Sequence, residues 1–197
     1  CISSAASDVY KRQSSFLFWI SSGMYSTQLP VFLIKNGFTS QEVFGLALLN
    51  SSISAMLYQR VGKKLRSRGP VLGLVQGYFF RTLGVFFLLV PMDFHYSLLL
   101  SSTASYLLWG YSWSYVSVSS TSFIGRRSTI KEQGSILATS NLVNSTGFVL
   151  GSLIGGGVAS QIGFDMNFVS ACVMSFLAMF SLVPLLRISL SASISKR

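Results

Sequence analysis

The chain has 197 residues, 50% hydrophobic and only 10% charged, with a net charge of +10. A soluble domain is about one quarter charged, so this sequence has too few charges to cover a water-exposed surface of its size. Its basic residues flank apolar runs instead of gathering on one face, which argues against nucleic-acid binding and for topogenic charge beside anionic lipid heads.

A helix needs roughly 20 mostly apolar residues to cross a bilayer core about 30 Å thick. Segments 13–34, 43–59, 94–125, 133–164 and 166–186 contain no Asp, Glu, Lys or Arg, and 69–92 contains only Arg81. In chain order, 1–13 reads as a cytoplasmic flank or linker. Its first residue, Cys1, suggests a cut or partial chain. Span one covers about 14–34, with Pro30 near its outer end. Gly37 then ends that helix, and Ser40 is placed to cap the next, with Glu42 opposing the positive end of its dipole. Span two covers about 41–59, and a basic loop follows at 60–68. Gly69 and Pro70 open span three, about 70–91, with Pro suited to a first helical turn. Span four covers about 95–118, and a charged loop at 125–133 leads to span five, about 134–161. Gly163 breaks the chain before span six, about 166–186. A Ser-rich basic tail, 188–197, closes it.

The gaps carry charge of alternating bias. Lys11 and Arg12, then Arg60, Lys63, Lys64, Arg66 and Arg68, then Arg126, Arg127 and Lys131, then Arg187, Lys196 and Arg197 fall in alternate gaps. Lys35 with Glu42, Asp93, and Asp165 fall in the others. Positive loops stay in the cytoplasm, which puts both termini there, and an even number of spans satisfies that. The expected fold class is therefore all-α: a polytopic membrane protein whose six transmembrane helices form one bundle over 14–187. The lipid bilayer is its first partner.

Arg81 is the main candidate for function. It lies about twelve residues into span three, or about 18 Å deep at 1.5 Å per residue. An Arg there costs at least about 2.5–3.5 kcal/mol on insertion scales. It either faces the bundle interior or a water-filled cavity, or snorkels to an interface. Gly73, Gly77 and Arg81 step by four along one face, with Gly84 beside them, and such a face allows close helix approach. Every acidic residue is in a flank or loop. The partner of Arg81 is then an anionic substrate, a group of backbone carbonyls, or a carboxylate on another polypeptide. In span five, Gly147, Gly151 and Gly155 form two overlapping small-residue steps for helix packing. Asn141 and Asn144, near Ser145, read either as cavity lining or as interhelical hydrogen-bonding groups. Trp109 and Trp113 in span four line a substrate path or serve as packing and interface anchors. Asn50 and Gln76 are weaker candidates for a polar lining.

Other chemistry finds no support. His95 is the one histidine, and Cys1 and Cys172 are the two cysteines, which gives neither a metal spacing nor a disulfide framework. The segment Gly110-Tyr111-Ser112-Trp113 faintly resembles an intramembrane serine protease, but such an enzyme needs a histidine base on another span. No enzymatic activity, metal or cofactor is expected. Asn50 and Asn144 begin glycosylation sequons, but inside apolar runs they are out of reach of that modification.

The residues resemble the major facilitator superfamily. The segment from Ala55 to Lys64 is similar to its loop motif G-x-L-x-D-R-x-G-R/K-R/K. Leu57, Arg60, Gly62, Lys63 and Lys64 match, Gln59 replaces the Asp and Ala55 the Gly. The run Gly147-x3-Gly151-Ser152-x2-Gly155-Gly156 resembles the fifth-helix pattern G-x3-G-P-x2-G-G, with Ser152 in place of Pro. The resemblance implies one six-helix half of a twelve-helix secondary transporter, the C-terminal half by the loss of the Asp at 59. It implies a small-molecule substrate carried by alternating access. The missing half lies in the same chain or is supplied by a second copy, as in a half-size transporter acting as a dimer. Arg60, Lys63 and Lys64 would then contact helix ends of the other half. The plasma membrane is the expected location. The competing expectation is a non-transporting membrane scaffold with a transporter-like fold.

Overall fold

The computed structural model of the protein describes residues 2–89, 95–125 and 128–186. Among them every regular element is a helix: α1 (Ile2–Lys35), α2 (Ser40–Arg68), α3 (Pro70–Phe87), α4 (His95–Gly125), α5 (Ile130–Gln161) and α6 (Phe164–Phe180). Asp93, Arg126, Arg127 and the tail from Arg187 onward lie outside the described residues.

The helices outrun the apolar segments. Residues 2–13, expected as a flank, are the first turns of α1. Residues 60–68, expected as a loop, are the last turns of α2, so Arg60, Gly62, Lys63 and Lys64 stand on a helix. Lys and Arg are good helix formers, and a change in polarity does not stop a helix. Gly69 does: its φ of +83° is a conformation that side chains avoid. Pro70 then starts α3 at a position where its missing N–H costs nothing. Gly37 and Gly163 end α1 and α5 in the same left-handed way, with φ of +87° and +120°.

Thr39, not Ser40, is the N-cap of α2. Its side chain accepts from the Glu42 amide, and the Glu42 carboxylate accepts from the Thr39 amide at 2.8 Å, a reciprocal capping box. Thr129 and Glu132 repeat the box at the start of α5. α6 stops at Phe180 and gives way to a turn at 181–182, before a last helical stretch at 183–186. Pro184 accounts for this, because it cannot donate to the carbonyl four residues back and crowds it.

Contacts between helices set their directions. Gly147, Gly151 and Gly155 meet Phe16, Ile20 and Met24 in that order, so α1 and α5 run parallel. Ser14 donates to the carbonyl of Ala178 and Ser21 to that of Ala171, so α1 and α6 run antiparallel. Gly73, Gly77 and Gly84 face Ser119, Ser112 and Ser105, which makes α3 antiparallel to α4. Ser54 bonds to Gly110, and Val61 and Leu65 pack on Tyr115, which makes α2 parallel to α4. Thr82 bonds to Ser175 while Tyr78 packs with Ala178 and Leu182, so α3 and α6 are antiparallel. The helix directions therefore alternate strictly along the chain. Lys11, Arg12, the basic end of α2 and Lys131 come together at one end of the bundle. Lys35, Glu42 and Asp165 lie at the other.

The surface carries large apolar side chains, and polar side chains are buried among the apolar core. Phe44, Leu48, Met56, Leu100 and Leu153 are each at least 69% exposed, while Arg81, Asn167 and a set of serines are buried. Water penalises that distribution and lipid favours it. Three stretches among the described residues are long and apolar enough to cross a membrane: Pro70–Phe87, Lys131–Gln161 and Phe164–Leu186. α4 is as long as these but rich in serine. Its serines turn inward: Ser112 donates to the Gly77 carbonyl at 2.6 Å, Ser101 to that of Phe87 at 2.5 Å, and Ser114 to that of Ser54 at 3.2 Å. Their polarity is spent between helices rather than on the surface.

Candidate functional site

The site begins with the seam between α1 and α5. A β-carbon at Gly151 would overlap the carbonyl of Ile20, and one at Gly155 would lie 2.7 Å from the α-carbon of Met24. Gly23 answers from the other side, where a β-carbon would overlap the carbonyl of Phe148. The two backbones touch, as small residues four apart permit. This close contact holds Trp19, Ser22 and Ser26 of α1 beside Phe148 of α5 at one wall of a cavity.

Across from that wall, Gly73, Gly77 and Gly84 draw α3 against α4. A β-carbon at Gly77 would meet Val116 at 2.6 Å and the Ser112 carbonyl at 3.1 Å. Arg81 lies on the same face and is carried into the bundle, where only 2% of it is exposed. The snorkelling alternative is thereby removed. Its guanidinium carbon lies 5.0 Å from the ring centre of Trp109, 5.3 Å from Phe18 and 5.9 Å from Tyr25. Cation–π contacts contribute roughly 0.5–2 kcal/mol each and offset part of the desolvation cost. The Arg81 Nε and Nη1 have no hydrogen-bond partner among the described residues.

Arg81, Asn50, Ser22, Trp109 and Trp113 line a cavity of about 430 Å³ between α1, α2, α4 and α5. It reaches the bundle surface at Ser51 and Ala55 of α2, both exposed. Asn50 and Ser22 line it, and their Oδ1 and Oγ atoms are buried and also lack a partner among the described residues. A second cavity of about 750 Å³ lies toward the basic end, between α4 and α5. Asn141, Asn144, Ser117 and Ser120 give it a polar lining. Trp19, Trp113 and Phe148 border both spaces. Trp19 meets Trp113 edge-on at 5.5 Å and Phe148 at 6.1 Å, so three rings form a partition between them.

The candidate residues thus divide. Asn50, Trp109 and Trp113 join Arg81 at the inner cavity, while Asn141 and Asn144 line the outer one. Gln76 borders neither cavity; five residues from Arg81 at about 100° each place it well off that face. Gly147, Gly151 and Gly155 pack against α1. Of the basic motif, Lys64 donates to the Tyr115 hydroxyl at 3.0 Å, whereas Arg60 and Lys63 are exposed and nothing crowds Gly62. Sequence reasoning passed over Trp19, Ser22, Ser26 and Phe148. The first three recur at helical spacing within an apolar span, and that polar stripe is the signal that marks them.

No protein-family model matches the chain, and no curated protein is similar to it.

Proposed function

We propose that this chain is a six-helix half of a secondary transporter in the plasma membrane, moving a small solute by alternating access. All six helices cross the bilayer in this reading. The alternating directions, the basic residues gathered at one end and the apolar exterior support it. The basic end faces the cytoplasm, by the bias of positive charge. The likeness of 55–64 and 147–156 to motifs of the major facilitator superfamily supports a second six-helix bundle, from the same polypeptide or another copy. The two bundles rock about a site near the midplane.

One observation carries the reading: a buried cation with no acidic partner among the described residues borders a cavity of small-molecule size in the middle of an apolar bundle. A charge kept in lipid at such cost is retained for a function. The aromatic partition supplies a barrier on the cytoplasmic side of the site, as alternating access requires.

The test is uptake into proteoliposomes from a panel of small solutes, with and without a proton gradient. Arg81→Ala is expected to insert normally and to lose uptake. Uptake at the wild-type level by that variant would refute the role of the site. Absence of uptake for every solute would favour a membrane scaffold.

A further inference from the structure

The outer cavity is lined by polar groups that the bundle does not use. Ser117 and Ser120 on α4 and Asn141 and Ser145 on α5 border it, and their side chains make no hydrogen bond among the described residues. Asn141 and Ser145 are exposed. The hydroxyls of the half-buried Ser117 and Ser120 keep accessible surface, whereas Asn144 Oδ1 in the same lining is buried. Each pair is three or four residues apart, which puts it on one face of its helix. Asn141 stands about ten residues past Lys131, or about 15 Å along α5 at 1.5 Å per residue. Hydrocarbon offers an amide at that depth no hydrogen bond, so it calls for a polar partner.

The lining also defines what that partner is. No charged side chain belongs to it. Lys11 comes only to its edge, where the ammonium donates to the Ser140 hydroxyl at 3.4 Å. An ion drawn between the helices would lose its hydration without gaining a countercharge, so the cavity suits a neutral solute. Hydroxyl and amide side chains both donate and accept, and they face one another across the space from α4 and α5. The solute therefore needs donors and acceptors on more than one side. At one end Trp19, Trp113 and Phe148 present aromatic rings, against which weakly positive C–H groups pack. The volume of about 750 Å³ is in the range of small-molecule sites.

We infer that the outer cavity takes a neutral monosaccharide, with its hydroxyls bonded to Ser117, Ser120, Asn141 and Ser145 and its C–H groups against the three rings. This names the solute class of the transporter proposed above and rests on that reading.

The protein is purified in a detergent without a sugar headgroup, and binding is read by tryptophan fluorescence, since Trp19 and Trp113 border the cavity. The probes are glucose, galactose and mannose, the anion glucuronate, the polyol cation N-methylglucamine and the nucleoside uridine. A saturable change is expected with at least one hexose, and none with the two ions or uridine over the same concentrations. Asn141→Leu and Ser145→Ala should each weaken binding of that hexose by up to about tenfold, the loss of one neutral hydrogen bond. Neither side chain has a partner among the described residues, so thermal midpoints should hold and the change in affinity reports the site. Ser160→Ala, exposed on the same helix but outside the lining, should bind as the wild type does. Lack of saturable binding by all three hexoses would overturn the inference and give these polar groups to a partner helix. Equal or tighter binding of an ion or of uridine, or unchanged affinity in both lining variants, would also overturn it. Asn141-dependent hexose binding without uptake in proteoliposomes would uphold the ligand and sink the transport reading. Uptake of other solutes that no hexose inhibits would do the reverse.

Discussion

Gly151 presses on Ile20: the α-carbon of one meets the backbone carbonyl of the other with no room for a methyl group between them. Gly147 against Phe16 and Gly155 against Met24 extend this contact over two helical turns. Gly151→Leu must therefore force α1 and α5 apart, and overpacking of this kind costs about 1–3 kcal/mol or more. A lowered thermal midpoint in detergent is expected, with loss of the monodisperse species. Gly157→Ala, at a position with nothing within reach of a β-carbon, should hold the midpoint or raise it, since alanine is the better helix former.

Arg81 is kept in the interior at a cost in stability. Arg81→Met removes a buried charge that has no acid to neutralise it among the described residues and fills similar volume. Its thermal midpoint should equal or exceed that of the wild type, although uptake is lost. Replacing a buried ionic group by an apolar one of like size is often neutral or stabilising. A marked fall in midpoint would mean that the rings of Phe18, Tyr25 and Trp109 contribute more than desolvation costs.

The Ser112 hydroxyl joins α4 to α3 through the Gly77 carbonyl at 2.6 Å, fully buried. Ser112→Ala is expected to destabilise the protein by about 0.6–2 kcal/mol, the range for hydrogen bonds between membrane helices. Ser120→Ala, on the lining of the outer cavity, should be neutral. Equilibrium unfolding of the two variants in mixed micelles makes the comparison.

Trp19, Trp113 and Phe148 divide the outer cavity from the inner one. Trp113→Ala should join the two spaces. A cysteine placed at Ser26, in the inner cavity, is expected to react with a charged thiol reagent faster from the basic end in that variant than in the intact background. An unchanged rate would place the barrier elsewhere.

Sidedness follows from the helix directions. In a background without Cys1 and Cys172, cysteines at Asn36 and Asp165 should label together from outside the cell. A cysteine at Ser67 should label only from the cytosol. All three positions are exposed. Labelling of Asn36 and Ser67 from the same side would break the six-span reading.

Much of the architecture is legible along the chain because its causes are local. Gly37, Gly69 and Gly163 stop helices through their own backbone freedom, and Pro70 starts one. Polarity does not mark the helix ends. Residues 60–68 are basic yet helical, since the residue that halts α2 is Gly69 and not the first Arg. Arg81 was legible as interior from its depth and from the glycines on its face. Gln76 was not legible as outside the site, because nearness in sequence says little about facing direction on a helix.

The sequence by itself determined that this chain favours lipid over water, that its helices carry their charges at alternating ends, and that one arginine lies deep among apolar residues. These follow from composition and order, which act residue by residue. Only the tertiary structure decided which helices touch, that the glycines of α5 seat on α1, and that Asn50 and Ser22 share a cavity with Arg81 while Asn141 and Asn144 belong to another. Those relations depend on the angle at which each helix presents its side chains to its neighbours. That angle comes from packing among all six helices at once, and no single segment encodes it.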